Sequence, residues 1–257
     1  MAAVTVTDYN VNTMTLTAKS GRERIDLAAL RSMHARDAGE RDARQPFVSH
    51  LSFQDGESVN RTGRVLKRNG RERRYSRRMF DNQATVVVRM PQHSGYFLNI
   101  KVFRNGNLQM TGARSAEEGR IGAQVALGEL GGAVEDVRVQ LMNCNFRVSR
   151  RVNRNAFHAL AKGLGMQSSF NPSIYPAVKV YYMINDRDDG ACPNRASPCT
   201  GFGPDACCKR VTVLVFEGHR SYSSAIITGA TTEAQVRKAH AWLARTLREH
   251  PEVTYDQ

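Results

Sequence analysis

An internally duplicated α+β domain is the fold class that this 257-residue sequence predicts. Two matching passages carry the expectation. "IKVFRNGNLQMTGARSAEEGRIGAQVALGEL" (100–130) parallels "VLVFEGHRSYSSAIITGATTEAQVRKAHAWLARTL" (213–247). Each holds an alternating strand that ends in Phe, a turn, a strand that ends Thr-Gly-Ala, and an amphipathic helix. The pairs Thr111-Gly112 and Thr228-Gly229 stand 117 residues apart. The upstream halves match more weakly: "TMTLTAKSGRERIDLAALRSM" (13–33) and "LMNCNFRVSRRVNRNAFHALA" (141–161) both read as strand, basic connection, short helix. A unit of strand, helix, several strands, helix thus occurs twice. Two copies of this length are not a solenoid, so a pseudo-two-fold domain is expected, with repeats at 1–133 and 134–257.

Each element has a local reason. Side chains alternate across a strand. In "FLNIKVF" (97–103), Leu98, Ile100 and Val102 form the core face, and Phe97, Asn99, Lys101 and Phe103 the other. After the turn, Leu108 and Met110 point inward, Gln109 and Thr111 outward. In the second copy Val211, Val213 and Val215 face the core, while Thr212, Leu214, Phe216, Ile226 and Thr228 face away. Met142, Cys144 and Phe146 oppose Asn143, Asn145 and Arg147; Met14 and Leu16 oppose Thr13, Thr15 and Thr17. The final helices start at capping boxes, Ser115 with Glu118 and Thr232 with Gln235. Val236, Ala239, Leu243 and Leu247 share a face of the second. The sheet therefore has an apolar face for helices and a mixed Thr/Asn/Lys/Phe face.

The charge is unusual. Lys and Arg number 37 against 24 acidic residues, for a net charge of +13, which favours a polyanionic partner, nucleic acid before an anionic membrane surface. No apolar run is long enough to span a bilayer. The start "MAAVTVTDYN" lacks the pattern of a secretory signal, and five cysteines fit a reducing compartment. "RVLKRNGRERRYSRR" (64–78), within a basic stretch at about 61–79, reads as a solvated loop. "NDRDDGACPNRASPCTGFGPDACCKR" (185–210) reads as a long loop between strands. Its Cys192, Cys199, Cys207 and Cys208 are candidate ligands of a structural zinc, although no CxxC is present; free thiols and a disulfide are the alternatives. Cys144 belongs to the core. Asp186, Asp188 and Asp189 read as solvated.

Two aromatics at equivalent points of two repeats, each among small polar residues on a basic protein, fit a minor-groove surface: apolar wedges unstack a base step, and Asn, Gln or Thr meet the degenerate acceptor pattern. "VFRNGNLQMTGARS" and "AIITGAT", with "VNRNAFHAL" and "SSFNPSIYPAVKVYY", resemble the TATA-binding proteins over roughly residues 10 to 250, most of all the TATA-binding-protein-like factors of large DNA viruses. The resemblance implies a saddle: a curved ten-stranded antiparallel sheet with four helices on its convex side, and strong kinking of bound DNA. It implies that Phe103 and Phe216 are wedges, with Tyr175 the partner of Phe216. For Phe103 the partner is Phe80, out of register, or Val86. Thr111 and Thr228 match minor-groove threonines; Gln109 and Ile226 occupy valine positions. Leu214 keeps an apolar contact that Lys101 replaces. Asn143 and Asn145 are the nearest matches to the central asparagines in copy two, Asn12 or Thr15 in copy one.

The resemblance implies a non-enzymatic transcription-initiation factor acting on double-stranded promoter DNA with a TFIIB-like factor and RNA polymerase machinery. Gly229 comes thirteen positions after Phe216, whereas Gly112 comes nine after Phe103, so the partner-contacting hairpin differs and virus-encoded partners are expected. The expected location is intracellular: the host nucleus, a viral factory or the virion. No catalytic signature, dinucleotide fingerprint or histidine ligand pair is present. No cofactor other than the candidate zinc and no small-molecule substrate is expected. The alternative is a virion structural protein that uses the saddle to bind other proteins.

Overall fold

The computed structural model describes residues 3–36, 42, 44–52, 58–60, 67–68, 71–72, 82–91, 95–218 and 221–255. The chain divides into two compact units, one of residues 13–139 and one of residues 1–12 with 140–257. In chain order the first contains β1 (Asn10–Lys19), α1 (Leu27–Arg36), β2 (Phe47–Ser52), β3 (Ser58–Asn60), β4 (Lys67–Arg68), β5 (Arg71–Glu72), β6 (Gln83–Met90), β7 (Tyr96–Phe103), β8 (Asn107–Ala113) and α2 (Ala116–Leu127). The second contains most of β9 (Glu135–Val148), with α3 (Arg154–Gly163), β10 (Gln167–Ser169), β11 (Val178–Ile184), β12 (Lys209–Phe216), β13 (Ser223–Ala230) and α4 (Glu233–Glu249); the unit boundaries fall within β1 and β9.

Within each unit the sheet is antiparallel. The first runs β1-β8-β7-β6-β2, extended at its edge by the three-residue β3; the second runs β9-β13-β12-β11-β10. Among the described residues, five strands in each unit, with β3 added at the edge of the first, and four α-helices form the expected α+β pattern, strand-helix-strands-helix twice over. The short ribbon of β4 and β5, paired Lys67↔Glu72 and Arg68↔Arg71, interrupts what reads as a loop in sequence. An Asn-Gly dipeptide lies between them, the usual signal for a two-residue hairpin.

Alternation places the core as expected. Leu98, Ile100 and Val102 are fully buried, as are Val211, Val213, Val215 and Cys144. Burial pushes the Cys144 thiol up to about 11, so it stays protonated and inert. Helices cover this face. A Cβ on Gly119 would stand 2.2 Å from Leu16 Cδ1, and one on Gly122 2.8 Å from Leu98 Cδ1, so these glycines let α2 lie close on the sheet. In the second unit Val236, Ala239, Leu243 and Leu247 of α4 are buried, and Trp242 packs on Tyr182 with ring centroids 5.7 Å apart.

Both capping boxes form, with one shared variation. Ser115 accepts from the Glu118 amide at 3.1 Å, and Thr232 from the Gln235 amide at 3.3 Å. The return bond skips the cap residue: Glu118 accepts from the Arg114 amide and Gln235 from the Thr231 amide, at 3.2 and 2.8 Å.

The Thr-Gly-Ala repeat has a backbone cause. Thr111 pairs with Thr15 and Ala113 with Met14, which leaves Gly112 unopposed; Thr228 pairs with Asn143 and Ala230 with Met142, which leaves Gly229 unopposed. Each glycine is the extra residue of a β-bulge, at φ 101° and 90°.

Candidate nucleic-acid interface

The outward face of each unit is a set of cross-strand rows, and the rows correspond. In the first unit one row reads Thr15, Thr111, Asn99, Val87; the next reads Thr17, Gln109, Lys101, Thr85. In the second the equivalents are Asn143, Thr228, Thr212, Tyr181 and then Asn145, Ile226, Leu214, Lys179. Phe103 and Phe216 stand one step further along, at the turn-proximal ends of β7 and β12. Both are half-buried.

These rows resolve several sequence ambiguities. Thr15 takes the position of Asn143, and Thr17, outward by alternation but not matched to an asparagine in sequence, takes that of Asn145. Asn12 precedes Met14, the first residue of β1 registered against β8. Val86 pairs with Ile100 and is fully buried on the core face, so it is not a partner for Phe103. Phe80 lies outside the described residues.

Lys101 has a counterpart. Its own position matches Leu214, but Lys179, one strand over in the equivalent row, supplies the second unit's lysine. Alternation along "VKVYYMI" (178–184) is the signal that would have found it, since Val178 and Val180 are core.

Tyr175 and Phe216 come together on the second unit. Their ring centroids are 6.0 Å apart and tilted 59°, and Lys179 Nζ lies 4.5 Å from the Tyr175 ring. A charged network fixes this pair. Glu217, next to Phe216, accepts from Arg151 and Arg154 at 2.5 and 2.6 Å, and Arg154 also donates to the carbonyl of Pro176, beside Tyr175. Ser223 Oγ donates to the Glu217 carbonyl at 2.7 Å.

The Arg151 hydrogen bond holds the Glu217 carboxyl below its ordinary value of 4.5; burial opposes this and the Arg154 charge reinforces it. A depressed folded value means that the unfolded chain takes up the proton first as pH falls. The stabilisation is therefore complete above pH ~4.5 and is lost as pH drops through the lower folded value. Glu217→Gln is expected to remove that part of the acid sensitivity in urea unfolding series at neutral and acid pH. An unchanged pH dependence would argue against the network.

On the other members the bonding is simple. Thr228 Oγ1 donates to Asn143 Oδ1. The first hairpin turns through Phe103–Gly106, where the Gly106 amide donates to the Phe103 carbonyl at 3.1 Å.

At the far end of β11 the outward face is covered by the connection 185–208. Met183 is on that face, opposite Arg210, yet is only 1% exposed because Cys192 and Cys208 pack on it, beside Tyr181 and Cys199. The Arg210 guanidinium lies between the Tyr181 ring at 4.5 Å and the Phe202 ring at 4.1 Å. Sequence reading missed this cation. The four insert thiols, spread over residues 192–208, have sulfurs within 4.8 Å of one another.

No helix among the described residues is long and apolar enough to cross a membrane. No protein-family profile matches the chain. A curated Acanthamoeba polyphaga mimivirus protein named "TATA-box-binding protein-like" is 24% identical over 215 residues, 75% of this chain and 54% of that protein. The chain thus spans about half the length of that relative. Among solved structures, Methanococcus jannaschii TBP superposes with a TM-score of 0.54 at 15% identity, over 95% of this chain and 99% of that one. The chain has the TATA-binding-protein fold, and its sequence is similar to that TATA-box-binding protein-like relative.

Proposed function

We propose that this protein is a non-enzymatic transcription-initiation factor that binds promoter DNA in the minor groove and bends it. The observation that carries the reading is the pair of equivalent outward rows. Each presents small polar groups, one lysine and a half-buried aromatic at a strand end, above a mainly apolar inner face. Threonine and asparagine suit the A N3 and T O2 acceptors of the minor groove, and an aromatic edge suits a base step. The net charge of +13 supplies the long-range attraction to phosphate. The longer second hairpin and the viral relative support a virus-encoded TFIIB-like partner and polymerase, with action in the host nucleus or a viral factory.

A gel-shift over a salt series, with AT-rich and GC-rich duplexes, tests the reading. The expected result is preference for the AT-rich duplex and an affinity that falls linearly in log–log form with salt. Absence of binding at low salt would instead favour a protein-interaction surface.

A further inference from the structure

The geometry points to a structural zinc site formed by Cys192, Cys199, Cys207 and Cys208. Cys192 Sγ lies 3.8 Å from Cys199 Sγ and 3.7 Å from Cys207 Sγ, and Cys207 Sγ lies 3.7 Å from Cys208 Sγ. A tetrahedron of thiolates around Zn²⁺ with bonds of about 2.3 Å has edges of about 3.8 Å. Three edges match this length. A disulfide needs sulfurs about 2.05 Å apart, and none of these pairs is that close.

The surroundings fit a thiolate cluster. The Cys199 amide donates to Cys192 Sγ at 3.4 Å, and Asn185 Nδ2 reaches Cys208 Sγ at 3.6 Å. N–H groups directed at sulfur stabilise the negative charge that four thiolates leave around a divalent ion. Asn185 also donates to the Ala191 carbonyl at 2.8 Å, which ties this outer group to the loop backbone. Binding converts each thiol to thiolate and releases its proton to solvent. All four positions are protein sulfur, so no site is open for a substrate, and soft ligands favour zinc over magnesium or calcium.

The fold gives the metal a task. The connection 185–208 has no helix or strand, and its packed centre is Cys192 and Cys208 on Met183, with Cys199 beside them and Cys207 at the surface. A long irregular segment is costly to order without a staple. Clamping it also holds Phe202 against Arg210 on the outward face.

The test is metal analysis of the purified full chain, followed by Co²⁺ replacement and thiol labelling. We expect one Zn²⁺ per chain and, with Co²⁺, the intense sulfur-to-cobalt charge-transfer absorption of a tetrahedral thiolate site. The four insert cysteines should resist alkylation until a chelator is added, while Cys144 resists in both conditions because it is buried. The double variant Cys199→Ser with Cys207→Ser should lose the metal and the chelator-dependent drop in Tm. Protein without bound zinc that gives no charge-transfer band with Co²⁺ would overturn the proposal. So would an intact mass showing disulfides among the four, or labelling indifferent to zinc and chelator.

Discussion

Phe103→Ala combined with Phe216→Ala is expected to abolish DNA bending, read by end-to-end FRET on a labelled duplex, while the protein stays folded. Both rings are half-buried on the outward face, and the apolar core beneath them is built from Leu98, Ile100, Val102, Val211, Val213 and Val215. Truncation therefore opens no cavity in the core. Unstacking a base step costs a few kcal/mol, which inserted apolar edges offset; that mechanism is carried over from TATA-binding proteins. Phosphate contacts by Lys and Arg survive the substitution, so affinity falls by roughly 10–100-fold rather than vanishing, and the salt slope is retained. Tyr175→Phe in the wild-type background keeps the ring pair and should bend DNA normally. Undiminished bending in the double variant would remove these residues from the role of wedges.

Valine at the bulge glycines is expected to destabilise the fold, and unequally. Gly112 and Gly229 sit at φ 101° and 90°, where a β-branched residue is strained by about 1–3 kcal/mol. Space then separates the two sites. A Cβ at 112 would lie 2.8 Å from the Phe97 carbonyl oxygen, a backbone atom that cannot swing aside, whereas the nearest atom at 229, the Arg210 carbonyl oxygen, is 3.7 Å away. Gly112→Val should thus unfold at lower urea than Gly229→Val, and both lower than wild type. Gly163→Ala is the control: its Cβ meets nothing within 4 Å and its φ is ordinary. Equal midpoints for the three variants would show that the bulges tolerate side chains.

Much of the interface could be read from alternation, because period two separates the faces whatever the partner strand is. Phe103, Gln109 and Thr111 were assigned outward on that ground, as were Phe216, Ile226 and Thr228. What alternation leaves open is register, since the neighbour of a residue belongs to another strand. That is why the match of Thr17 to Asn145 and the outward Lys179 need the structure, and why Lys101 reads in sequence as an isolated departure. The bulge adds a second difficulty: simple alternation would turn Ala113 and Ala230 outward, yet the extra glycine returns both to the core. The insert hid its centre for a different reason. Sequence spacings of six and seven residues without CxxC say little once a loop folds back, and Met183 appears as an outward residue until the loop covers it.

The placement of the two lysines bears on direction. On the DNA-binding reading, a perfectly duplicated surface would fit a target equally well either way round. Lys101 stands on the third strand of its unit beside Gln109, whereas Lys179 stands on the fourth beside Leu214. One half therefore offers a cation near its middle and the other an apolar patch there, with the cation towards the edge. On that reading the protein would have a head and a tail, and a promoter that it occupied would acquire a defined upstream and downstream side before any polymerase arrived.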